Sequence, residues 1–285
     1  MALGQPGLVG AYVVKGPKVA VIDCGYASSC ESVLAGLSEI GVSPSDIRYL
    51  IPTHVHLDHA GAAGHLIERM PNAEIVAQER GVPHLVDPSR LIESATEVFG
   101  KQIMELYGLP LPVRRERITA VGEEAHLDLG GGMTADLIHT PGHAPHQMSV
   151  VIEGAGALIT ADAVGIIYPG LNTLIPTTPP PSFDPSTLVS TASRLEQTDP
   201  DVLLVPHFGA RGDVDRVFED TRMKVQHWVK SVGELRNKKM DLEGISQVMI
   251  ERVKRESGAA EVPIYAQVSV RTSVMGILHY LDKNP

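Results

Sequence analysis

The chain has 285 residues, 43% apolar and 20% charged, a composition ordinary for a globular protein with a sizeable core. Its formal net charge of −10, from 24 basic and 34 acidic side chains, argues against a general affinity for nucleic acid or anionic membranes. We therefore expect neither a nucleic-acid partner nor a membrane partner.

The first residues do not have the pattern of a targeting signal. Residues 1–15 lack a basic region followed by an uninterrupted apolar stretch, and no later apolar run is long enough to span a bilayer. The only cysteines, Cys24 and Cys30, do not form a disulfide framework of the kind found in secreted domains. These features predict a cytoplasmic protein with two reduced, packed thiols.

Strand and helix signals alternate in the first part of the chain. Two apolar, β-branched runs separated by Gly16-Pro17 predict a hairpin, and Ser29 begins a helical pattern that stops at Gly41. The further elements predicted here are a strand at 47–51, a helix at 61–70 and a strand at 74–77.

A cluster of metal-ligand side chains follows the strand at 47–51. His54, His56, Asp58 and His59 lie within six positions of one another. Imidazole and carboxylate groups suit zinc or iron. On an extended segment alternate side chains share a face, so the first three can converge while His59 points elsewhere. This geometry predicts two adjacent metal positions.

The segment 88–107 has apolar residues at helical spacing and is closed by the prolines at 110 and 112. It would either cover the site as a lid, with Phe99 and Tyr107 lining an apolar pocket, or pack on a sheet. Short strands are predicted after it at 118–121, 125–129, 133–139, 149–152 and 157–160.

The proline-rich loop that begins near Tyr168 is too long for a simple connection and is typical of loops that shape pockets. A helix capped by Asp184 is predicted to end near Gln197, ahead of a strand at 202–205.

The remaining residues are predicted to be helical. One apolar face runs from Val214 to Leu235, and two further candidate helices cover 245–253 and 272–281. This tail would either close over the site or bury its apolar face in a homodimer.

The sequence Thr-His-x-His-x-Asp-His at 53–59 resembles the signature of the metallo-β-lactamase-fold superfamily of metallohydrolases. The downstream ligands of that signature follow in order as His143, Asp162 and His207. The resemblance extends to about Gly212. It implies an α/β fold, a four-layer αββα sandwich with a helical C-terminal extension. We predict a catalytic domain at 1–235 and the extension at 236–285.

The resemblance also implies two divalent metal ions per chain, zinc or iron, with manganese as a further choice. The implied ligands are His54, His56 and His143 for one ion, Asp58, His59 and His207 for the other, and Asp162 as a bridge. A hydroxide shared by the ions would be the nucleophile, and Asp58 would also act catalytically by orienting it.

Three further residues are predicted around the metals. The family commonly has Asp-Thr-Gly where this chain has Asp23-Cys24-Gly25, so Asp23 would face the site from behind or cap a turn. His146 would orient a metal ligand, and Tyr168 would line the substrate pocket. We leave His84 outside the predicted site.

The implied reaction is hydrolysis of a small-molecule ester, thioester, lactone or phosphodiester. The chain lacks recognisable glutathione-binding positions of glyoxalase II, and no Tyr follows Asp162 as closely as in acyl-homoserine lactonases. Two alternatives are an iron-dependent redox protein, similar to a persulfide dioxygenase, and a non-catalytic metal-binding protein. His56 is retained where flavodiiron relatives usually have Glu, and persulfide dioxygenases keep this His but use a single iron. The complete seven-ligand set therefore favours hydrolysis.

Overall fold

The computed structural model of the protein describes residues 5–284. The strands are β1 (Tyr12–Val14), β2 (Val19–Ile22), β3 (Ile47–Ile51), β4 (Glu74–Gln78), β5 (Ile118–Val121), β6 (Glu124–Gly130), β7 (Met133–His139), β8 (Met148–Ile152), β9 (Ala157–Ile159), β10 (Val202–Val205) and β11 (Gly209–Arg211). The α-helices are α1 (Cys30–Glu39), α2 (Leu57–Ala60), α3 (Ala63–Arg69), α4 (Val82–Val86), α5 (Ser89–Phe99), α6 (Lys101–Tyr107), α7 (Pro185–Glu196), α8 (Val214–Asn237), α9 (Leu242–Ser257) and α10 (Ile264–Lys283).

The first sheet has the strand order β1-β2-β3-β4-β5. β1 and β2 pair antiparallel, which confirms the predicted hairpin, and the other neighbours pair parallel. Parallel strands are usually covered on both faces and mainly apolar, and in β3 Ile47, Leu50 and Ile51 are fully buried. The end of β3 opens directly into the segment that contains His54.

The second sheet has the strand order β11-β10-β9-β8-β7-β6. The pairs from β6 to β9 are antiparallel. Three of its strands end shortly before a predicted metal ligand, since β7 precedes His143, β9 precedes Asp162 and β10 precedes His207. Each of these predicted ligands therefore lies in the chain segment that directly follows a strand of this sheet.

Most of the predicted helices are present, but one predicted segment is interrupted. The 88–107 segment forms α5 and α6, which are separated at Gly100, where φ is +82° and only glycine is comfortable. The predicted helix at 61–70 forms α3, and the residues just before it, which were expected to be extended, form α2. In the C-terminal part the last helix is longer than predicted, because it begins directly after Pro263.

The described chain divides into two compact units. The first contains the described residues up to His139 together with His146–Ala161 and Leu203–Ala210, and so includes both sheets apart from one end residue of β10 and one of β11. The second contains Thr140–Pro145, Asp162–Val202 and the residues from Arg211 onwards. The division at residue 235 stays a prediction.

In the first unit, α5 and α6 pack on an apolar cluster. Its buried members are Tyr26, Leu57, Ala95, Met104 and Tyr107. The Tyr26 and Tyr107 rings are stacked, with centroids 4.2 Å apart. This packing joins the predicted lid segment to Leu57, the residue before Asp58. Among residues 5–284, no helix is both long and apolar enough to cross a membrane.

Candidate metal centre

Four of the predicted ligands follow β3 within one short stretch of the first unit. His54 lies in the loop, and His56 is the N-cap of α2, which carries Asp58 and His59. His54 Nε2 lies 2.9 Å from His56 Nδ1, and the His54 and His59 ring centroids are 4.0 Å apart. Imidazole nitrogens this close to one another are the donor set that zinc or iron binds in proteins.

His207 of the same unit lies next to this stretch. One donor atom from each of Asp58, His59 and His207 lies within 4.8 Å of the other two. Asp58 Oδ2 lies 3.7 Å from His59 Nε2 and 3.9 Å from His207 Nε2. The Asp58 side chain is 26% exposed whereas that of His59 is fully buried, so Asp58 is accessible to a small molecule from solvent.

The His59 ring is held in place from its other side. Asp23 Oδ2 lies 2.9 Å from His59 Nδ1, while Asp23 Oδ1 accepts hydrogen bonds from the Thr53 backbone N–H and hydroxyl at 2.7 and 2.8 Å. A carboxylate that accepts the Nδ1 proton leaves His59 Nε2 for a metal. Asp23 thus lies behind the candidate ligand His59, on the side of its Nδ1 atom. Its φ of +62° is unusual for a non-glycine residue, a strain common near functional sites.

A backbone carbonyl orients His207. Its Nδ1–H donates to Leu8 O at 2.6 Å, which again leaves Nε2 on the side of Asp58. The next residue, Phe208, has a φ of +62°, and its N–H donates to Gly7 O. Sequence reasoning missed this support because a carbonyl acceptor can belong to any residue type.

His146 lies beside the candidate ligands His54 and His56 of the first unit. Its ring centroid is 6.2 Å from that of His54 and 5.9 Å from that of His56, and its Nδ1 accepts from the Val55 N–H at 3.4 Å. His84, which the sequence analysis left outside the site, lies 6.0 Å from His146 between ring centroids. His84 therefore belongs to the surroundings of this histidine group.

Burial governs the chemistry of two other polar side chains here. Burial raises the pKa of the Cys24 thiol well above its ordinary value, and the Asp23 charge raises it further. Cys24 is thus held as a protonated thiol, unsuited to binding metal as a thiolate. Burial also raises the pKa of the Tyr107 phenol, a hydrogen bond from Tyr26 opposes this shift, and the Asp58 charge adds to it. The phenol of Tyr107 is neutral.

The second unit contains the other two predicted ligands. His143 Nε2 lies 3.4 Å from Asp162 Oδ2, and both side chains are buried. His143 Nδ1–H donates to Thr177 O at 3.0 Å, and the Thr177 hydroxyl donates to the Asp162 carbonyl at 3.2 Å. Thr177 was not predicted, since it lies in a proline-rich loop far from both ligands in sequence.

Tyr168 is buried in the second unit, where its ring packs against Tyr265 of α10 with centroids 5.5 Å apart. These contacts account for the position of the side chain as part of the core. Its role in a substrate pocket stays a prediction.

The family model of the metallo-beta-lactamase superfamily matches residues 4–207, and the chain belongs to that superfamily. Membership confirms the predicted fold class, an α/β fold with two mixed sheets and C-terminal helices. Superfamily members include enzymes named as lactonases and β-lactamases, so the family as a whole is rich in metal-dependent hydrolases.

The chain is similar to the metallo-beta-lactamase fold-containing protein ST1585 of Sulfurisphaera tokodaii, with 32% identity over 61% of this chain and 63% of that protein. Structural superposition on the ST1585 crystal structure gives a TM-score of 0.70 at 23% identity, covering 97% and 94% of the two chains.

The chain is also similar to the N-acyl homoserine lactonase AttM of Azorhizobium caulinodans, with 29% identity over 47% of each chain. A third relative is the putative diflavin flavoprotein A 1 of Thermosynechococcus vestitus, with 26% identity over 54% of this chain and 23% of that protein. The matches thus span from about a quarter to under two thirds of these relatives' lengths.

The residues present fit a divalent metal. The first unit gathers imidazole nitrogens and one carboxylate, two of these imidazoles are oriented by acceptors at Nδ1, and the second unit pairs a further imidazole with a carboxylate. Such a mixture of nitrogen and oxygen donors suits zinc, iron or manganese.

Proposed function

We propose that this protein is a metal-dependent hydrolase with two divalent ions per chain. The proposed ligands are the seven side chains of the superfamily pattern, namely His54, His56, Asp58, His59, His143, Asp162 and His207. The observation that carries the proposal is the donor cluster of Asp58, His59 and His207, in which each histidine is oriented through Nδ1. Oriented imidazoles around a carboxylate are typical of metal sites.

Bound divalent ions would polarise a carbonyl or phosphoryl oxygen and supply a hydroxide nucleophile at neutral pH. The chain's own residues then determine orientation. Asp58 would accept a hydrogen bond from the attacking water, because its carboxylate is partly exposed beside two histidines. Asp23 and Leu8 would keep His59 and His207 in the tautomer that offers Nε2.

The substrate class that we propose is a small molecule with an ester, thioester, lactone or phosphodiester bond. Similarity to a protein named as an N-acyl homoserine lactonase supports carbonyl substrates. The apolar cluster of α5 and α6 packs on Leu57, next to Asp58, and would limit the access of bulk water from that direction.

An iron-dependent redox function is the second candidate, because the chain is also similar to a protein named as a putative diflavin flavoprotein. That match covers only 23% of the relative's length, which leaves the flavoprotein's remaining parts unmatched. The same histidines and carboxylates accept zinc and iron, so the metal that the protein binds decides between the two candidate functions.

The test is a metal-replacement experiment. Protein stripped by a chelator would be reloaded with zinc, iron or manganese and assayed on a p-nitrophenyl ester, a thioester, a γ-lactone and bis(p-nitrophenyl) phosphate. We expect metal-dependent turnover in at least one class and its loss in His207→Ala. Full metal loading with no turnover in any class would contradict the hydrolase proposal, and oxygen consumption by the iron form alone would favour the redox candidate.

A further inference from the structure

The C-terminal helix α10 is bonded to the loop that carries Thr177. The Ser273 hydroxyl donates to Pro176 O at 2.7 Å and accepts from the Thr178 N–H at 3.4 Å, and the Thr178 hydroxyl donates to Ser273 O at 3.0 Å. Thr178 is fully buried and Ser273 is 2% exposed. Three hydrogen bonds in a solvent-free contact restrain the 176–178 backbone.

Close packing at Gly276 reinforces these bonds one turn further along α10. A Cβ atom at position 276 would lie 1.8 Å from Thr178 O and 2.6 Å from the Pro179 carbonyl carbon. Only glycine allows the helix to approach the loop backbone this closely. The helix and the loop backbone are therefore held in a fixed position relative to each other at Thr178.

The same three-residue segment reaches both ligands of the second unit. Thr177 O accepts the Nδ1 proton of His143 at 3.0 Å, and the Thr177 hydroxyl donates to the backbone carbonyls of Asp162 and Val164 at 3.2 and 3.3 Å. His143 Nε2 and Asp162 Oδ2 then lie 3.4 Å apart. A shift of the Thr177 backbone would therefore move the acceptor of His143 and the chain next to Asp162 together.

We propose that α10 is a positioning element of the metal centre, in which Ser273 and Gly276 fix the 176–178 backbone and thereby the orientation of His143 and Asp162. The inference rests on the proposed metal-binding function. It assigns to the C-terminal extension a role beyond packing, because removing its contacts would weaken metal binding without removing a ligand.

The first test compares Ser273→Ala with Ser269→Ala, which removes a hydroxyl from the same helix one turn earlier. Zinc affinity would be measured by competition with a chromophoric chelator, after circular dichroism has shown that both variants are folded. Partners that orient metal ligands typically contribute 10–100-fold to metal affinity. We expect Ser273→Ala to weaken zinc binding by about 10-fold, at the low end of that range, and Ser269→Ala to leave it unchanged.

A second variant, Thr178→Val, removes the hydroxyl that donates to Ser273 and keeps the side-chain volume. Its cobalt form should show a changed visible absorption spectrum, because the ligand field follows the orientation of His143 and Asp162. If Ser273→Ala does not fold, Thr178→Val tests the same contact in its place. A folded variant of either kind with wild-type zinc affinity and cobalt spectrum would overturn the inference. Failure of the wild type itself to bind zinc would instead contradict the proposed function, and this inference with it.

Discussion

The carboxylate of Asp23 lies 2.9 Å from Nδ1 of His59, with His59 fully buried and Asp23 nearly so. Both Thr53 hydrogen bonds to the other Asp23 oxygen keep that carboxylate from rotating. The pair therefore determines which His59 nitrogen is available at Asp58. Asp23, the residue after β2, therefore orients His59 although it is far from the 53–59 stretch in sequence.

We predict that Asp23→Asn weakens zinc binding by about 10–100-fold, the usual effect of replacing a partner that orients a histidine ligand. Asn tolerates the positive φ of this position, so the substitution tests the carboxylate and not the backbone. The measurement is zinc affinity by chelator competition.

The matched control is Asp136→Asn, which removes the same group from a His126–Asp136 pair at the surface of β6 and β7. Zinc affinity should not change in this control. An Asp23→Asn protein with wild-type affinity would refute the assigned role of Asp23.

Asp162 is the proposed bridging ligand, so Asp162→Ala should abolish turnover and reduce the metal content while the protein remains folded. The reason is that loss of a shared ligand opens the coordination of both ions. Metal content and steady-state rates would be compared with those of Asp201→Asn, which alters an exposed carboxylate of the same unit. Unchanged turnover in Asp162→Ala would rule out the dinuclear mechanism.

Gly64 in α3 and Gly36 in α1 offer a paired test of helix packing in the first unit. A Cβ atom at position 64 would lie 2.1 Å from Leu111 O, whereas one at position 36 would meet nothing within 4 Å. Gly64→Ala should lower the free energy of unfolding by about 1–3 kcal/mol through overpacking. Gly36→Ala should raise it by about 0.5–1 kcal/mol, because Ala favours a helix interior. Urea unfolding measures both, and equal effects would contradict the close approach of Leu111 to α3.

Asp184 caps α7 by accepting from the Thr187 N–H and the Ser186 hydroxyl, each at 2.7 Å. Burial would raise the pKa of the Asp184 carboxyl, but these hydrogen bonds outweigh it and lower the pKa. The stabilisation is therefore present above the pKa of the unfolded carboxyl and is lost as the pH falls through the lower folded value.

We expect Asp184→Ala to cost about 1 kcal/mol at neutral pH, a typical value for a lost N-cap, with most of that cost absent in Asp184→Asn. The stability difference between the wild type and Asp184→Ala should shrink on acidification, as followed by urea unfolding. If this stability difference stayed constant down to strongly acidic pH, the cap would not depend on the ionised Asp184 carboxylate.

Much of the regular structure could be predicted from local patterns. The predicted bounds of β3, β7 and β10 match the observed strands, because β3 and β10 are mainly apolar and β7 alternates between buried and partly buried residues. The break between α5 and α6 was not predicted, although Gly100 marks it. The helical spacing of apolar residues continues across Gly100, and this spacing does not show that the backbone at Gly100 has a positive φ, which ends the helix.

The ligand candidates could be identified from residue type and spacing, since His and Asp are the side chains that bind metals. The groups that orient these candidates could not be identified in the same way, because Leu8 O and Thr177 O are backbone acceptors. Any residue supplies such a carbonyl, so only the folded chain shows which one meets a histidine. The contact of His84 with His146 is likewise a tertiary effect, bringing together residues distant in sequence.

The central claim is that the chain binds two divalent ions, and metal content tests it most directly. Elemental analysis would be performed on protein purified without added metal or chelator, with the protein concentration determined by amino-acid analysis. The proposal predicts two equivalents of zinc, iron or manganese per chain. One equivalent of iron alone would contradict the dinuclear hydrolase and favour redox chemistry, and a metal-free protein that takes up no metal on reloading would contradict both.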